Sequence, residues 1–430
     1  MTQATRNIPV FRSGVAVKSA LLTSPTNCAP PAPDPQAPVR RFPLAIAGGI
    51  GLAGTGFVWL EYGTKFGVYL LIGILLGVAL FHSRFGFAAG FQQLMAVGNG
   101  QGVRAQALLL GTAASAVMLI AASGAGLFGA KPTPATYPLG VSLVLGAMLF
   151  GVGMQLAGSC ASGTLFAVGS GQATVALTLA GFLTGATAGS WLDPFARRLP
   201  SFPGVLLAEH TGWLGAWLIT MAILLAGVLV TRIVQRRRNP PPVQPVATAH
   251  GLARIYRGAW PMQAGAIVLG LLAGAVFLVS GGTWGLTGAF PLWGAKILQT
   301  FGNHPEQWEY WSPANKGRSL AAPLLTDKTS LTNFGIMIGA ALASAMAGAW
   351  KLYTAVPWRL VAASLLGGLL MGVGAQLAGG CNIGAYLAGI SVGSLHGWVW
   401  AVCALAGTWF GVRLRPLFGL HTPRSSDGIC

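Results

Sequence analysis

The chain has 430 residues, of which 53% are hydrophobic and only 8% charged, with a formal net charge of +18. A soluble globular domain carries about 25% charged residues, so an ordinary water-exposed surface is excluded and the chain reads as membrane protein. The basic excess then reports topology, because Lys and Arg collect in cytoplasmic loops, and no nucleic-acid partner is expected.

In chain order, residues 1–42 form a tail with a Pro-rich stretch from Pro25 to Pro38. It lacks an apolar core followed by an A-x-A-like site, so it is read as a cytoplasmic tail and not a cleaved signal peptide. Crossing a hydrocarbon core takes about 20 apolar residues in a helix. Such runs are expected near 43–60, 66–82, 104–128, 138–158, 172–192, 212–233, 260–280, 334–352, 358–379 and 396–418. With the N-terminus inside, the inner face holds 18 of the 26 basic residues and two of the eight acidic ones. Both termini are therefore expected in the cytoplasm. Asn239 to Pro245 reads as a flexible part of the central linker.

The most informative feature is an internal duplication. Residues 151–167 match residues 372–388 at ten of 17 positions, without a gap, at an offset of 221. Gln155 pairs with Gln376 and Cys160 with Cys381, which shared glycine and alanine content does not explain. Corresponding spans lie five apart, an odd number, so the halves are expected in opposite orientation. The fold class is thus all-α, with about ten transmembrane helices in two inverted repeats. The organisation is an extra helix at 43–60, a first repeat at 66–192, a connecting helix and basic linker at 193–259, a second repeat at 260–418 and a tail at 419–430. Both halves break after their first span, at Ser83 to Gly100 and Gly281 to Gly302, and these stretches read as re-entrant or interfacial. An insertion at 302–333, rich in Trp and charge, falls on the outer face.

Each repeated motif sits where an apolar helix meets a Gly-rich break and a short apolar segment follows. Gly158, Ser159, Cys160 and Gly163 form one break; Gly379, Gly380, Cys381, Asn382 and Gly384 form the other. Backbone broken at membrane depth is tolerated where it lines a cavity, and the N–H groups of a following helix attract anions. A thiol at such a terminus can donate a weak hydrogen bond to a soft anion, become a thiolate, or exchange with a sulfur substrate. The first suits transport, since weak contacts release as easily as they capture. A single buried Cys is usually a small hydrophobe; repetition in register argues otherwise for this pair, while Cys403, Cys28 and Cys430 keep the plain reading. Gln155 and Gln376 read equally as path lining or as polar glue between helices. Arg84, Gln92, Gln93, Trp284, Trp293 and Lys296 are secondary candidates in the re-entrant stretches. No GxxxxGK[ST] loop, paired catalytic acid and base, metal set or cofactor motif is visible, so catalytic residues are not assigned and a transporter is favoured over an enzyme.

These residues resemble the YeeE/YedE family, whose sulfur-transport domain occurs in two copies. The resemblance runs from about Phe66 to Phe418. It rests on Ser159-Cys160-Ala-Ser-Gly163, Gly380-Cys381-Asn-Ile-Gly384, Arg84-Phe85-Gly86-Phe87, Trp284-Gly285 and Trp293-Gly294. It implies uptake of thiosulfate across a bacterial inner membrane, through an hourglass-shaped protein with a nine-span core and short helices facing a central constriction. It also implies cysteines that pass the anion by S–H contacts and a separate TusA/SirA-type sulfur carrier as partner. Where the family has a third cysteine this chain has Gly86, so a three-cysteine relay does not carry over intact, and the span at 43–60 is additional. Transport of a selenium or other sulfur compound, and a membrane thiol enzyme that passes sulfane sulfur to a carrier, are the alternative readings.

Overall fold

In the computed structural model, the described residues are 37–240, 249–352, 357–420 and 422. Most of the Pro-rich tail, most of the flexible linker stretch, Cys28 and Cys430 lie outside them. The chain forms, in order, α1 (Arg41–Tyr62), α2 (Thr64–Ser83), α3 (Phe87–Ala96), α4 (Gln101–Ser123), α5 (Val141–Ala157), α6 (Ala161–Gly169), α7 (Ala173–Ala196) and α8 (Leu207–Arg238). There follow α9 (Ala253–Arg257), α10 (Met262–Ser280), α11 (Ala289–Thr300), α12 (Ala314–Ala321), α13 (Lys328–Met346), α14 (Trp358–Leu377), α15 (Ala388–Ser391) and α16 (Leu395–Leu414). Ten helical segments among the described residues are long and apolar enough to cross a membrane. The only paired strands there are β1 (Leu139–Gly140) and β2 (Ser201–Phe202), which run antiparallel.

Hydropathy places the spans and misses several ends, for local reasons. The span expected at 334–352 begins six residues earlier, because the Asp327 carboxylate accepts the Ser330 N–H at 2.7 Å and caps a polar first turn. It stops at Met346, ahead of Gly348 at φ 68°. The insertion therefore ends at Asp327. The span expected at 212–233 runs through Leu207–Arg238 and holds a non-helical Gly212. The short segment after Cys381 is not a plain α-helix: it opens as a π turn, Asn382–Leu387, in which the Cys381 carbonyl accepts from both Ala385 N–H and Tyr386 N–H.

Lipid gives helices no hydrophobic reason to associate, so close backbone approach at small residues does that work. The duplicated helices α5 and α14 cross antiparallel: Gly146 faces Gly374 and Ala378, and Gly153 faces Gly367 and Met371. A Cβ built on Gly153 would stand 2.6 Å from the Gly367 carbonyl oxygen. Around this crossing the contacts come in reciprocal sets. Helix α7 packs on α14 as α16 packs on α5; α2 on α13 as α10 on α4; α11 on α7 as α3 on α16. Helices α1 and α8 are the least buried of the spans, at 17% and 22%, and lie at the periphery.

Gly153→Val should therefore lower the melting midpoint in detergent, with a cost of about 1–3 kcal/mol for overpacking. Gly227→Ala on α8, where nothing lies within 4 Å of the added methyl, should stay within about 0.5 kcal/mol of wild type. Equal midpoints for the two variants would contradict this packing.

Candidate functional site

The duplication persists in the backbone of the two breaks. Gly158 and Gly379 end α5 and the stretch after α14 in the left-handed region, at φ 73° and 70°, where a side chain would be strained. Two residues later Cys160 has φ −95°, ψ −176° and Cys381 φ −96°, ψ −167°. Both cysteines occupy the extended position that starts a helical segment, both carry free thiols, and both are buried.

Breaking a helix frees carbonyls, and several here have partners, some from distant parts of the chain. The Gln155 oxygen accepts from Arg415 Nη1 at 2.6 Å. The Leu377 oxygen accepts from the Ser142 hydroxyl at 2.6 Å and the Tyr137 hydroxyl at 3.4 Å, and the Gly380 oxygen from Trp400 Nε1 at 3.2 Å. The Cys160 carbonyl takes the Thr164 N–H and hydroxyl, both at 2.8 Å, and the Ser159 and Thr164 hydroxyls pair at 2.9 Å. The thiols are embedded in the same networks. Cys381 Sγ accepts the Ile383 N–H at 3.4 Å, and Cys160 Sγ lies 3.4 Å from the Ser162 hydroxyl. Gly163 packs closely beside Cys160, since an added Cβ would sit 3.3 Å from the Ser159 Cβ and 3.6 Å from the Cys160 sulfur.

Several buried polar atoms beside the breaks lack a protein partner. They are both amide atoms of Asn382, Gln155 Oε1 and Trp284 Nε1. Buried polar atoms are nearly always hydrogen-bonded, so unpartnered ones at adjoining positions suit water or a polar ligand. Helix α3 links the two breaks. The Gln155 amide donates to the Ala88 oxygen at 3.4 Å, while Phe87 and Phe91 make ring contacts with Tyr386. Gly86 caps the start of this helix.

A cavity of about 420 Å³ reaches the second break from the face that carries the insertion. Its floor is Ala375, Gln376, Gly379 and Gly380, adjoining Cys381; Tyr137, Thr287 and Gly288 form its walls, and Tyr310 and Lys316 its rim. The Tyr310 hydroxyl donates to Gln376 Oε1 at 3.3 Å, and Lys316 Nζ lies 3.4 Å from the centre of the Tyr310 ring. Arg197 is paired with Asp193 at 2.7 Å, whereas Lys316 forms no ion pair among the described residues. Burial pushes the Lys316 amine down to about 8; Asp193 opposes this and Arg197 adds to it. Burial likewise raises Tyr137 to about 12, so its hydroxyl stays protonated at neutral pH.

The structure brings Gln376, Gly379 and Gly380 together around this cavity, while Cys381, Asn382 and Gly384 follow them in the chain and do not line it. Gln155, Gly158, Ser159, Cys160 and Gly163 gather at the other break. The secondary candidates have other settings. Arg84 closes α2 in the left-handed region, and Lys296 Nζ is held by the Leu320 oxygen at 2.9 Å. Trp293 Nε1 donates to the Ser330 hydroxyl at 2.8 Å, and Gln92 and Gln93 are buried in α3. Sequence reading missed Tyr137, Asp193, Arg197, Tyr310 and Lys316. The only signal for the last two was the concentration of charge and aromatic rings in the insertion.

A family model described as "Sulphur transport" matches residues 82–410. A stretch of 161 residues is 35% identical to the "Probable transporter YedE" of Salmonella typhimurium, covering 37% of this chain and 39% of that one. The chain thus matches well under half the length of that relative. The "Thiosulfate transporter TsuA" of Spirochaeta thermophila is 27% identical over 369 residues, 79% of this chain and 96% of its own. The TsuA of Escherichia coli K12 is 28% identical over 364 residues, 81% of this chain and 94% of its own. Two breaks with matching backbone, inside a bundle of membrane-spanning helices, are accordingly those of a member of the sulphur transport family.

Proposed function

We propose that the chain is a permease that imports thiosulfate, or a closely related small sulfur anion, across the bacterial inner membrane. The observation that carries this reading is the cavity whose floor is the Gly379–Gly380 pair beside Cys381. An anion enters over Lys316 and Tyr310, meets the second break at Cys381 and Asn382, and leaves past the first break at Cys160. The two halves, 66–192 and 260–418, act as inverted repeats about the α5–α14 crossing, which is supported by the antiparallel packing of these duplicated helices. The arginine-rich end of the bundle faces the cytoplasm. A TusA/SirA-type carrier receiving the sulfur there is part of the same proposal.

The chemistry favours transit over capture. Neither break carries a fixed cation in its motif, so the anion is held by N–H dipoles, the Asn382 amide and S–H donors. A divalent oxyanion bound only by such donors is released readily. Thiosulfate also presents a soft terminal sulfur that matches a thiol better than a serine hydroxyl would.

In proteoliposomes, Cys381→Ala and Cys160→Ala should each reduce thiosulfate uptake at least about tenfold, about 1.4 kcal/mol, at equal protein incorporation. Uptake unchanged by both substitutions would refute the path. Uptake of another sulfur or selenium anion in place of thiosulfate by the unaltered protein would reassign the substrate.

Lys316 sets an expected pH dependence. Its ammonium is present below about 8 and lost as pH rises through that value. The half-saturating thiosulfate concentration should therefore rise between pH 7 and 9. Lys316→Met should raise it about fivefold at pH 7, about 1 kcal/mol for a partly exposed charge, and flatten the profile. Lys316→Arg should keep affinity high at pH 9; an unaltered profile in both variants would remove Lys316 from the path.

A further inference from the structure

A second cavity, of about 440 Å³, lies at the opposite face of the bundle, between the start of α4 and the end of α8. Its lining is Arg104, Arg232, Gln235, Arg236, Asn239 and Pro240. Arg232 and Arg236 stand one turn apart on the same side of α8, and Arg104 faces them from α4. Three guanidinium groups so close repel one another unless an anion lies between them.

The described chain supplies no such anion. Its six carboxylates are Glu61, Asp193, Glu209, Glu306, Glu309 and Asp327. Connectivity places every one at the other face: at the end of α1 and α7, at the start of α8, and in the insertion leading to α13. Arg104 Nη1 is shut away from solvent without a hydrogen-bond partner. The cavity is nevertheless a built feature. The Gly100 N–H donates to Gln235 Oε1 at 3.3 Å and Arg238 Nη1 to the Met95 oxygen at 3.3 Å, which fixes the end of α8 against the α3–α4 turn.

We propose that this cleft binds the phosphodiester headgroup of an anionic phospholipid. A phosphate there would accept from Arg104, Arg232 and Arg236 together, as charge-assisted bonds of the strong kind. The acyl chains have a place to lie. Helix α8 is peripheral, and over the turns that lead into and include Arg232 it exposes Leu225, Leu229, Val230 and Ile233. A free phosphate satisfies the arginines but leaves that apolar surface unused, so the lipid is the better match.

The test uses the full-length protein, stripped of lipid in detergent. Phosphatidylglycerol, phosphatidylcholine and inorganic phosphate are added separately, with bound adducts read by native mass spectrometry and stability by melting midpoint. Phosphatidylglycerol should be retained and should raise the midpoint. Arg232→Gln/Arg236→Gln should cut the adduct population about tenfold, a loss of about 1.4 kcal/mol. Both arginines are exposed at the helix end, so the single variant Arg236→Gln stands in if the double variant misfolds. Arg359→Gln, at the same face outside the cleft, should bind as wild type does. Equal retention of phosphatidylcholine, equal stabilisation by inorganic phosphate, or full retention by the variants would each overturn the proposal.

Discussion

A helix interrupted inside a bilayer must hand its freed N–H and C=O groups to something other than lipid, and that constraint organises this protein. Each break draws some of its partners from the opposite half and some from its own, as Trp400 does for Gly380 and Thr164 for Cys160. Arg415, after the last span of the second half, satisfies Gln155 in the first; Tyr137 and Ser142 of the first satisfy Leu377 in the second. Either break would be costly in an isolated half. Together they hold the halves in one relative position, because moving one half would strand buried carbonyls in both.

The glycine-lined crossing of α5 and α14 makes this exchange geometrically feasible. With the two backbones in near contact at Gly146 and Gly153, the ends of these helices come within reach of the opposite half. The aromatic rings around the crossing fill what the glycines leave. Phe150 touches Phe182 and Trp400, and Trp400 stacks on Tyr386 and donates to Gly380. The rigid parts are therefore the crossing and its aromatic packing, while the polar atoms left unpartnered, those of Asn382 and Gln155 Oε1, adjoin the thiols. Of these unpartnered atoms, Asn382 Nδ2 is a donor, while Asn382 Oδ1 and Gln155 Oε1 are acceptors.

Much of this was legible in the sequence because it depends on short-range pattern. Apolar runs fixed the number of spans, and the register of Gln155 with Gln376 and of Cys160 with Cys381 located both breaks. Helix ends were less legible, since the Asp327 cap draws Lys328 and Ser330 into a span that hydropathy alone begins later. The rim of the cavity was not legible. Tyr310 and Lys316 lie more than sixty residues before Cys381 in sequence, and only the folding of the insertion over the second break brings them to Gln376. Lys296, a secondary candidate in the sequence, donates to the Leu320 carbonyl. A charge's partner depends on tertiary neighbours that no local pattern encodes.

A sulfur anion resting at these breaks can be located directly. Crystals of the protein grown with thiosulfate can be examined by anomalous diffraction near the sulfur edge. The account predicts paired sulfur peaks in the cavity over Gly379 and Gly380, with the terminal sulfur within about 4 Å of the Cys381 thiol, the reach of a weak sulfur hydrogen bond. Thiosulfate peaks confined to the outer surface, with Asn382 and Cys381 untouched at saturating concentration, would contradict it.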